Sequence, residues 1–138
     1  MNRLGPATLA SLCFLQPAVA QVQPPPANEI AEKYAVAGRV SSFRDFYTLR
    51  ADCTPIDWVN VSIDEEPRNG RAAVVDRKVP VAPAEPQTLS RQCTGKLVDA
   101  KSLTYTPNEG YKGQDQIVVE VINSAGAHRT FTFNIVVR

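Results

Sequence analysis

The sequence predicts an all-β antiparallel sandwich. Three observations carry that prediction. From about residue 44 onward apolar residues recur at every second position, the period of a strand, rather than at helical spacing. Six or seven such runs follow one another at intervals of roughly eight to fifteen residues. Turn formers punctuate them, among a total of 11 prolines and 7 glycines. A chain of 138 residues, 43% apolar and 21% charged, has room for one globular domain and excludes a multidomain enzyme.

The first residues read as an address. Arg3 precedes a compact apolar run from Ala7 to Leu15, then Pro17 and the small tripeptide Ala18-Val19-Ala20. That is the pattern of a secretory signal peptide over residues 1–20, cleaved before Gln21. The run is about nine residues, whereas a membrane-spanning helix needs about twenty. Leu12 directly before Cys13 departs from the pattern of a lipid-modified cysteine. Loss of Arg3 leaves 14 basic against 14 acidic residues. That balance offers no excess of charge to attract nucleic acid or an anionic membrane.

Residues 21–33 are expected to form a Pro-rich spacer ahead of a domain at 34–138. Pro24-Pro25-Pro26 can enter neither a helix nor a sheet ladder and runs as polyproline. Asn28 to Tyr34 fits a short helix capped by Asn28, and a strand over Tyr34 to Val40 fits nearly as well.

Further on, Tyr47, Leu49, Ala51 and Cys53 share one face of an expected strand, which points Cys53 inward. Val59, Val61 and Ile63 alternate with Asn60, Ser62 and Asp64. Pro67-Arg68-Asn69-Gly70 follows, its Asn-Gly pair suited to the positive φ angles of a tight hairpin. Ala73 to Val79 makes the return strand, and Pro80 to Gln87 a loop. Leu103 and Tyr105 share a face on a strand ending at Pro107. Ile117, Val119 and Val121 form another, and Phe131, Phe133, Ile135 and Val137 the last, joined by the hairpin Asn123-Ser124-Ala125-Gly126.

Two cysteines remain after cleavage. In an oxidising compartment an even count reads as one disulfide, Cys53 to Cys93. With a single histidine, His128, and no Cys-x-x-Cys, the paired local ligands of a zinc site are missing. No metal and no cofactor are expected.

The run Leu103-Thr-Tyr-Thr-Pro-Asn-Glu-Gly-Tyr-Lys-Gly-Gln-Asp115, with Ile117-x-Val119-x-Val121, Gly126 and Val136-Val137, resembles the C-terminal half of the immunoglobulin-like, cadherin-like modules of bacterial surface and secreted proteins. Val61-x-Ile63 and Pro67-Arg68-Asn69-Gly70 resemble an earlier strand and turn of the same modules, so the likeness spans about Trp58 to Val137. It implies an immunoglobulin-like sandwich with a binding role. Those modules usually stand in tandem with carboxylate-rich calcium linkers. This sequence has one copy, no following linker and a cysteine pair that the tandem modules generally lack.

The motif residues have folding roles of their own. Pro107 ends a strand because it has no N–H, and Gly110 and Gly113 allow backbone angles closed to other residues. Asp115 is expected to accept N–H groups of the bend before its own strand. Tyr105 and Tyr111 are expected to bury their rings and reach backbone carbonyls.

Enzymatic signals are thin. His128 has no Gly-x-Ser-x-Gly partner. In Asp64-Glu65-Glu66, adjacent residues of a strand point to opposite faces, so the three carboxylates do not all converge. Arg68, Arg71, Arg77 and Lys78 are interleaved with Glu65, Glu66 and Asp76 as on a wet mixed-charge surface. Trp58 has two readings: packing in the core or at an edge, or, if exposed, an anchor for a protein or a sugar ring. The sequence thus predicts a periplasmic or extracellular, non-enzymatic binding or scaffolding module acting on a protein or envelope polysaccharide. The alternative is a small envelope hydrolase or hydrolase inhibitor.

Overall fold

Strand-forming alternation resolves into two sheets in a computed structural model, which describes residues 27–56, 60–83, 89–123 and 126–138. The strands are β1 (Ala27–Ala35), β2 (Ser41–Phe46), β3 (Asn60–Glu65), β4 (Gly70–Pro80), β5 (Leu97–Pro107), β6 (Gly113–Ile122) and β7 (His128–Val137), with a 3-10 turn at Leu89–Cys93. One sheet has the order β1-β7-β6-β3 and the other β2-β5-β4. The two pack face to face as an all-β sandwich. The expected signal peptide, the polyproline run and Trp58 lie outside the described residues.

The core follows from period two. Phe131, Phe133, Ile135 and Val137 of β7 and Ile117, Val119 and Val121 of β6 are buried from one sheet, and Leu103, Tyr105 and Ala72 from the other. Phe43 and Phe46 of β2 complete an aromatic layer, with centroids 5.6 Å from Phe43 to Tyr105 and 5.4 Å from Phe46 to Phe131. Those phenylalanines are three apart, not two, because a bulge between Ser42 and Arg44 inserts an extra residue into β2.

Several local expectations are corrected. The segment from Asn28 to Tyr34 is neither helix nor spacer, since β1 opens at Ala27 and pairs in parallel with β7 from Ala27↔Arg129 to Ala35↔Val137. That pair departs from a wholly antiparallel sandwich. The small side chains of Ala31 and Ala35 let β1 settle against the core, alternating along the same face with Glu29 and Lys33.

Tyr47 to Cys53 is not a strand. The chain doubles back, with Leu49 bridging Pro55, Ile56 N–H donating to the Thr48 carbonyl (2.8 Å) and Cys53 N–H to the Arg50 carbonyl (3.0 Å). Asp52 Oδ1 fixes this turn by accepting from the Thr54 N–H (3.0 Å) and hydroxyl (2.6 Å). Cys53 takes φ 69° at its tip.

Asn69 and Gly70 do not form a hairpin either. β3 and β4 belong to different sheets, so Pro67–Gly70 is the bend by which the chain crosses between them. Gly70 lies outside the left-handed region and is required for closeness. A Cβ there would stand 2.5 Å from the Tyr105 ring and 2.6 Å from the Thr106 carbonyl oxygen.

Candidate functional site

The Tyr105–Asp115 motif is a knot that ties the crossing bend to both sheets. Asp115, on β6, is 9% exposed, and Tyr105, on β5, is fully buried. Asp115 Oδ1 accepts from the backbone N–H of Arg68 (2.9 Å) and of Gln116 (3.0 Å). Its Oδ2 accepts from the Asn69 N–H (2.9 Å) and the Tyr105 hydroxyl (2.8 Å). The carboxylate thus holds the β3–β4 bend, more than forty residues upstream, rather than the bend before its own strand. The Tyr105 hydroxyl meets this carboxylate and not a backbone carbonyl, whereas the Tyr111 hydroxyl does donate to a carbonyl, that of Gln114 (2.7 Å).

Burial pushes the Asp115 carboxyl up, but donation from Tyr105, Arg68, Asn69 and Gln116 outweighs it and holds the group below the usual carboxylate range. Burial, then the hydrogen bond and charge of Asp115, pushes the Tyr105 phenol up. Gly110 and Gly113 take φ 73° and 143° in the connection to β6, and Pro107 closes β5. With four donors on its two oxygens, Asp115 has no lone pair left for a ligand.

The cystine builds a second, smaller core. Cys53 and Cys93 are bonded with their Cα atoms 5.5 Å apart. They cluster with Val79, Val81, Val98 and Ala100, against which Tyr47 and Leu49 pack. In register, Val79 opposes Val98 and Arg77 opposes Ala100, whereas Ala72 opposes Tyr105 and Val74 opposes Leu103. The two sets differ by one residue, so the cystine cluster covers the Val79–Val98 end of the outer face of the β2-β5-β4 sheet, while Val75 on the same face stays exposed. Beside it, Arg77 donates to Ser102 (2.7 Å), Ser42 (2.8 Å) and Asp45 (3.0 Å), and the Ser102 hydroxyl to Asp45 (2.5 Å). A buried cystine of this kind belongs to an oxidising, non-cytoplasmic compartment.

The strand edges are blunted against pairing with another chain. β1 turns two charges inward: Glu29 bonds Arg44 of β2 (2.6 Å), and the Lys33 ammonium lies over the Phe133 ring (6.0 Å). Arg44, a residue not foreseen as important, also lies over Phe131 (4.4 Å) and closes the side of the sandwich between the sheets. β2 and β3 are short and bulged. β4 carries Asp76, Arg77 and Lys78 and ends at Pro80.

One broad surface remains uncovered among the described residues, the outer face of the β1-β7-β6-β3 sheet. Register lays it out in rows: Ile30, Thr132 and Val118; Glu32, Asn134 and Gln116; Tyr34, Val136 and Gln114. Ile30 is 66% exposed and Tyr34 57%. The Gln116 amide donates to Asn134 Oδ1 (2.8 Å), and the Arg138 guanidinium lies 4.6 Å from the centre of the Tyr34 ring.

A cleft of about 550 Å3 opens on this face beside the crossing bend, lined by Glu32, Glu65, Glu66, Arg68, Asn69, Gln114, Gln116 and Asn134. Glu65 and Glu66 both reach it, although they are adjacent in sequence, because the register shift after Ile63 and the end of β3 at Glu65 break the alternation. Asp64 does not join them. A second cleft of about 470 Å3 lies between Phe46, Tyr47, Ile56 and the charged rungs Asp76–Lys101 (2.7 Å) and Lys78–Asp99 (2.8 Å).

His128, at the start of β7, contacts Glu120 through Nε2, and both are well exposed. No group of three or more His, Cys, Asp or Glu is placed to hold a metal ion, and no helix is long and apolar enough to cross a membrane, among the described residues. Comparison with protein-family models, with curated proteins and with solved structures finds no match.

Proposed function

We propose that the chain is a secreted, non-enzymatic binding module of the bacterial immunoglobulin-like, cadherin-like kind. It works in the periplasm or outside the cell and takes a protein or an envelope polysaccharide on the outer face of the β1-β7-β6-β3 sheet. The carrying observation is that, among the described residues, this face is open while one end of the opposite face is occupied by the cystine cluster. Ile30, Val118 and Val136 stand there among amides, hydroxyls and Glu32, and all four strand edges are blunted.

Strand order supports the family resemblance. β2-β5-β4 and β7-β6-β3 repeat the B-E-D and G-F-C orders of immunoglobulin sandwiches, with the first strand moved beside the last. The amino-terminal pattern up to Ala20 and the cystine support export. Full satisfaction of Asp115 supports a structural rather than a catalytic role for the most buried carboxylate.

The test is retention of the exported protein on an envelope fraction containing membranes, proteins and sacculi. Ile30→Arg with Val118→Arg is expected to abolish retention at unchanged Tm, while Val75→Arg on the other sheet leaves it intact. Equal retention of both variants refutes the assignment of the face.

A further inference from the structure

The cleft beside the crossing bend has a composition that selects among ligands. Its polar side chains, apart from the fully bonded Asp115, are acceptors only (Glu32, Glu65, Glu66), donors only (Arg68), or both (the amides of Asn69, Gln114, Gln116 and Asn134). The three glutamates, the Arg68 guanidinium and the Gln114 amide make no hydrogen bond or ion pair with another described residue. The one pair that does form is directional. Gln116 Nε2 donates to Asn134 Oδ1, which leaves Gln116 Oε1 as an acceptor and Asn134 Nδ2 as a donor side by side on neighbouring strands.

Phosphate, sulfate and carboxylate ligands are disfavoured, because three carboxylates outnumber one guanidinium. Ile135 and Val136 are the only apolar members of a lining with nine polar residues, a narrow floor for a lipid tail or an apolar side chain. A hydroxyl group both donates and accepts, so vicinal hydroxyls match the Gln116–Asn134 pair and the flanking carboxylates together. The Tyr34 ring stands in the next row, opposite Val136, which lines the cleft. Arg138 lies over that ring, and its exposed surface offers an apolar plane to a sugar's C–H groups.

We infer that the cleft bounded by Glu32, Glu65, Arg68, Gln116 and Asn134, with Tyr34 at its rim, is a sugar-binding site that takes an uncharged stretch of a glycan chain. This deepens the proposed role of the face and rests on it. A volume of about 550 Å3 falls within the usual range of small-ligand sites. Sugar contacts of this wet, shallow kind depend little on salt, because the ligand carries no net charge.

The experiment is an amide-shift titration of the isotope-labelled exported protein with hexasaccharides of β-1,4-N-acetylglucosamine, β-1,4-glucose, β-1,3-glucose and α-1,4-glucose. Saturable shifts with at least one of them are expected at Glu32, Asn69, Gln116 and Asn134, unchanged at about 0.5 M salt. Gln116→Ala is expected to weaken binding about tenfold, the loss of roughly one good hydrogen-bonding group, and Tyr34→Ala comparably. Silence of these amides with all four sugars overturns the inference. So does binding of hexalysine at the same amides that vanishes in salt, which assigns the cleft to a basic peptide instead. If the sugars are silent while Ile30→Arg with Val118→Arg still abolishes envelope retention, the sugar inference falls and the binding face stands. If retention is also indifferent to those substitutions, both fall.

Discussion

Replacing Asp115 by alanine removes the single acceptor that four donors share, and its effect can be worked from the structure. The Tyr105 hydroxyl suffers most, since the residue is fully buried and no water reaches it. An unsatisfied buried donor costs about 1–3 kcal/mol. The Asn69 N–H is half-buried and loses part of that amount. The Arg68 N–H belongs to an exposed residue and passes to water. Loss of the tether on the crossing bend brings the total to about 3–5 kcal/mol, a large part of the 5–15 kcal/mol typical of a domain.

The assays are thermal unfolding for Tm and urea unfolding for free energies, both followed by near-UV circular dichroism. Asp115→Ala is expected to lower Tm by about 10–20 °C, and Tyr105→Phe by less than half of that. In combination the two cost about 1–2 kcal/mol less than their sum, because Tyr105→Phe removes the donor that Asp115→Ala would orphan. The pH dependence has a definite sign. The folded-state pKa of Asp115 is depressed, so its contribution is present above the unfolded value of about 3.9 and is lost as pH falls through the folded value. Asp115→Asn flattens that acid limb. An Asp115→Ala protein within about 1 kcal/mol of wild type, or strict additivity with Tyr105→Phe, refutes the reasoning.

Two further outcomes test the frame around the site. Cys53→Ser with Cys93→Ser opens a loop of 40 residues and is expected to cost about 4 kcal/mol in the chain-entropy model; hydrogen exchange should accelerate first at 47–56 and 93–98 while β6 and β7 stay protected, and uniform acceleration would contradict a separate second core. Gly70→Ala forces a Cβ against the Thr106 carbonyl oxygen and the Tyr105 ring and is expected to cost about 1–3 kcal/mol by denaturant unfolding, with no change at all refuting the close-approach account.

What was legible in the sequence and what was not divides along a physical line. β6 and β7 could be read residue by residue because their alternation holds over ten positions, with Ile117, Val119, Phe131 and Phe133 all inward, whereas β5 was legible only from Leu103 to Pro107, since its buried set changes face at Ser102–Leu103. The cystine was legible from compartment and parity. β2 was not, since its bulge spaces Phe43 and Phe46 by three and destroys the period. Tyr47–Cys53 alternates like a strand, yet its apolar set packs on a second core outside the sandwich, and periodicity cannot say which core a face seeks. Asn69-Gly70 looked like a hairpin because composition marks a reversal without telling whether the two strands share a sheet. The cleft was invisible for the same reason that the Asp115 bonds were: both join β3 or its bend to β6, positions far apart in the chain.

Why one face is free and the other occupied follows from where the long connections fall. The segments that separate β2 from β3 and β4 from β5 each carry one cysteine of the pair. Both connections start or end on the β2-β5-β4 sheet, so the bond that joins them, with Tyr47, Leu49, Val79 and Val98 beneath it, is drawn onto that sheet's outer surface. The other sheet is wound differently. β6 and β7 are joined by a tight hairpin closed by the Gly126 N–H on the Asn123 carbonyl (2.9 Å), and β1 enters beside β7 and leaves through a turn at Val36–Arg39. The described residues of neither connection fold back over Ile30, Gln116 or Asn134. The sandwich is therefore reinforced on one side by the cystine cluster. That leaves exposed residues on the other side, such as Gln114 and Tyr34, without a packing duty, which is the condition under which their side chains can be spent on a ligand.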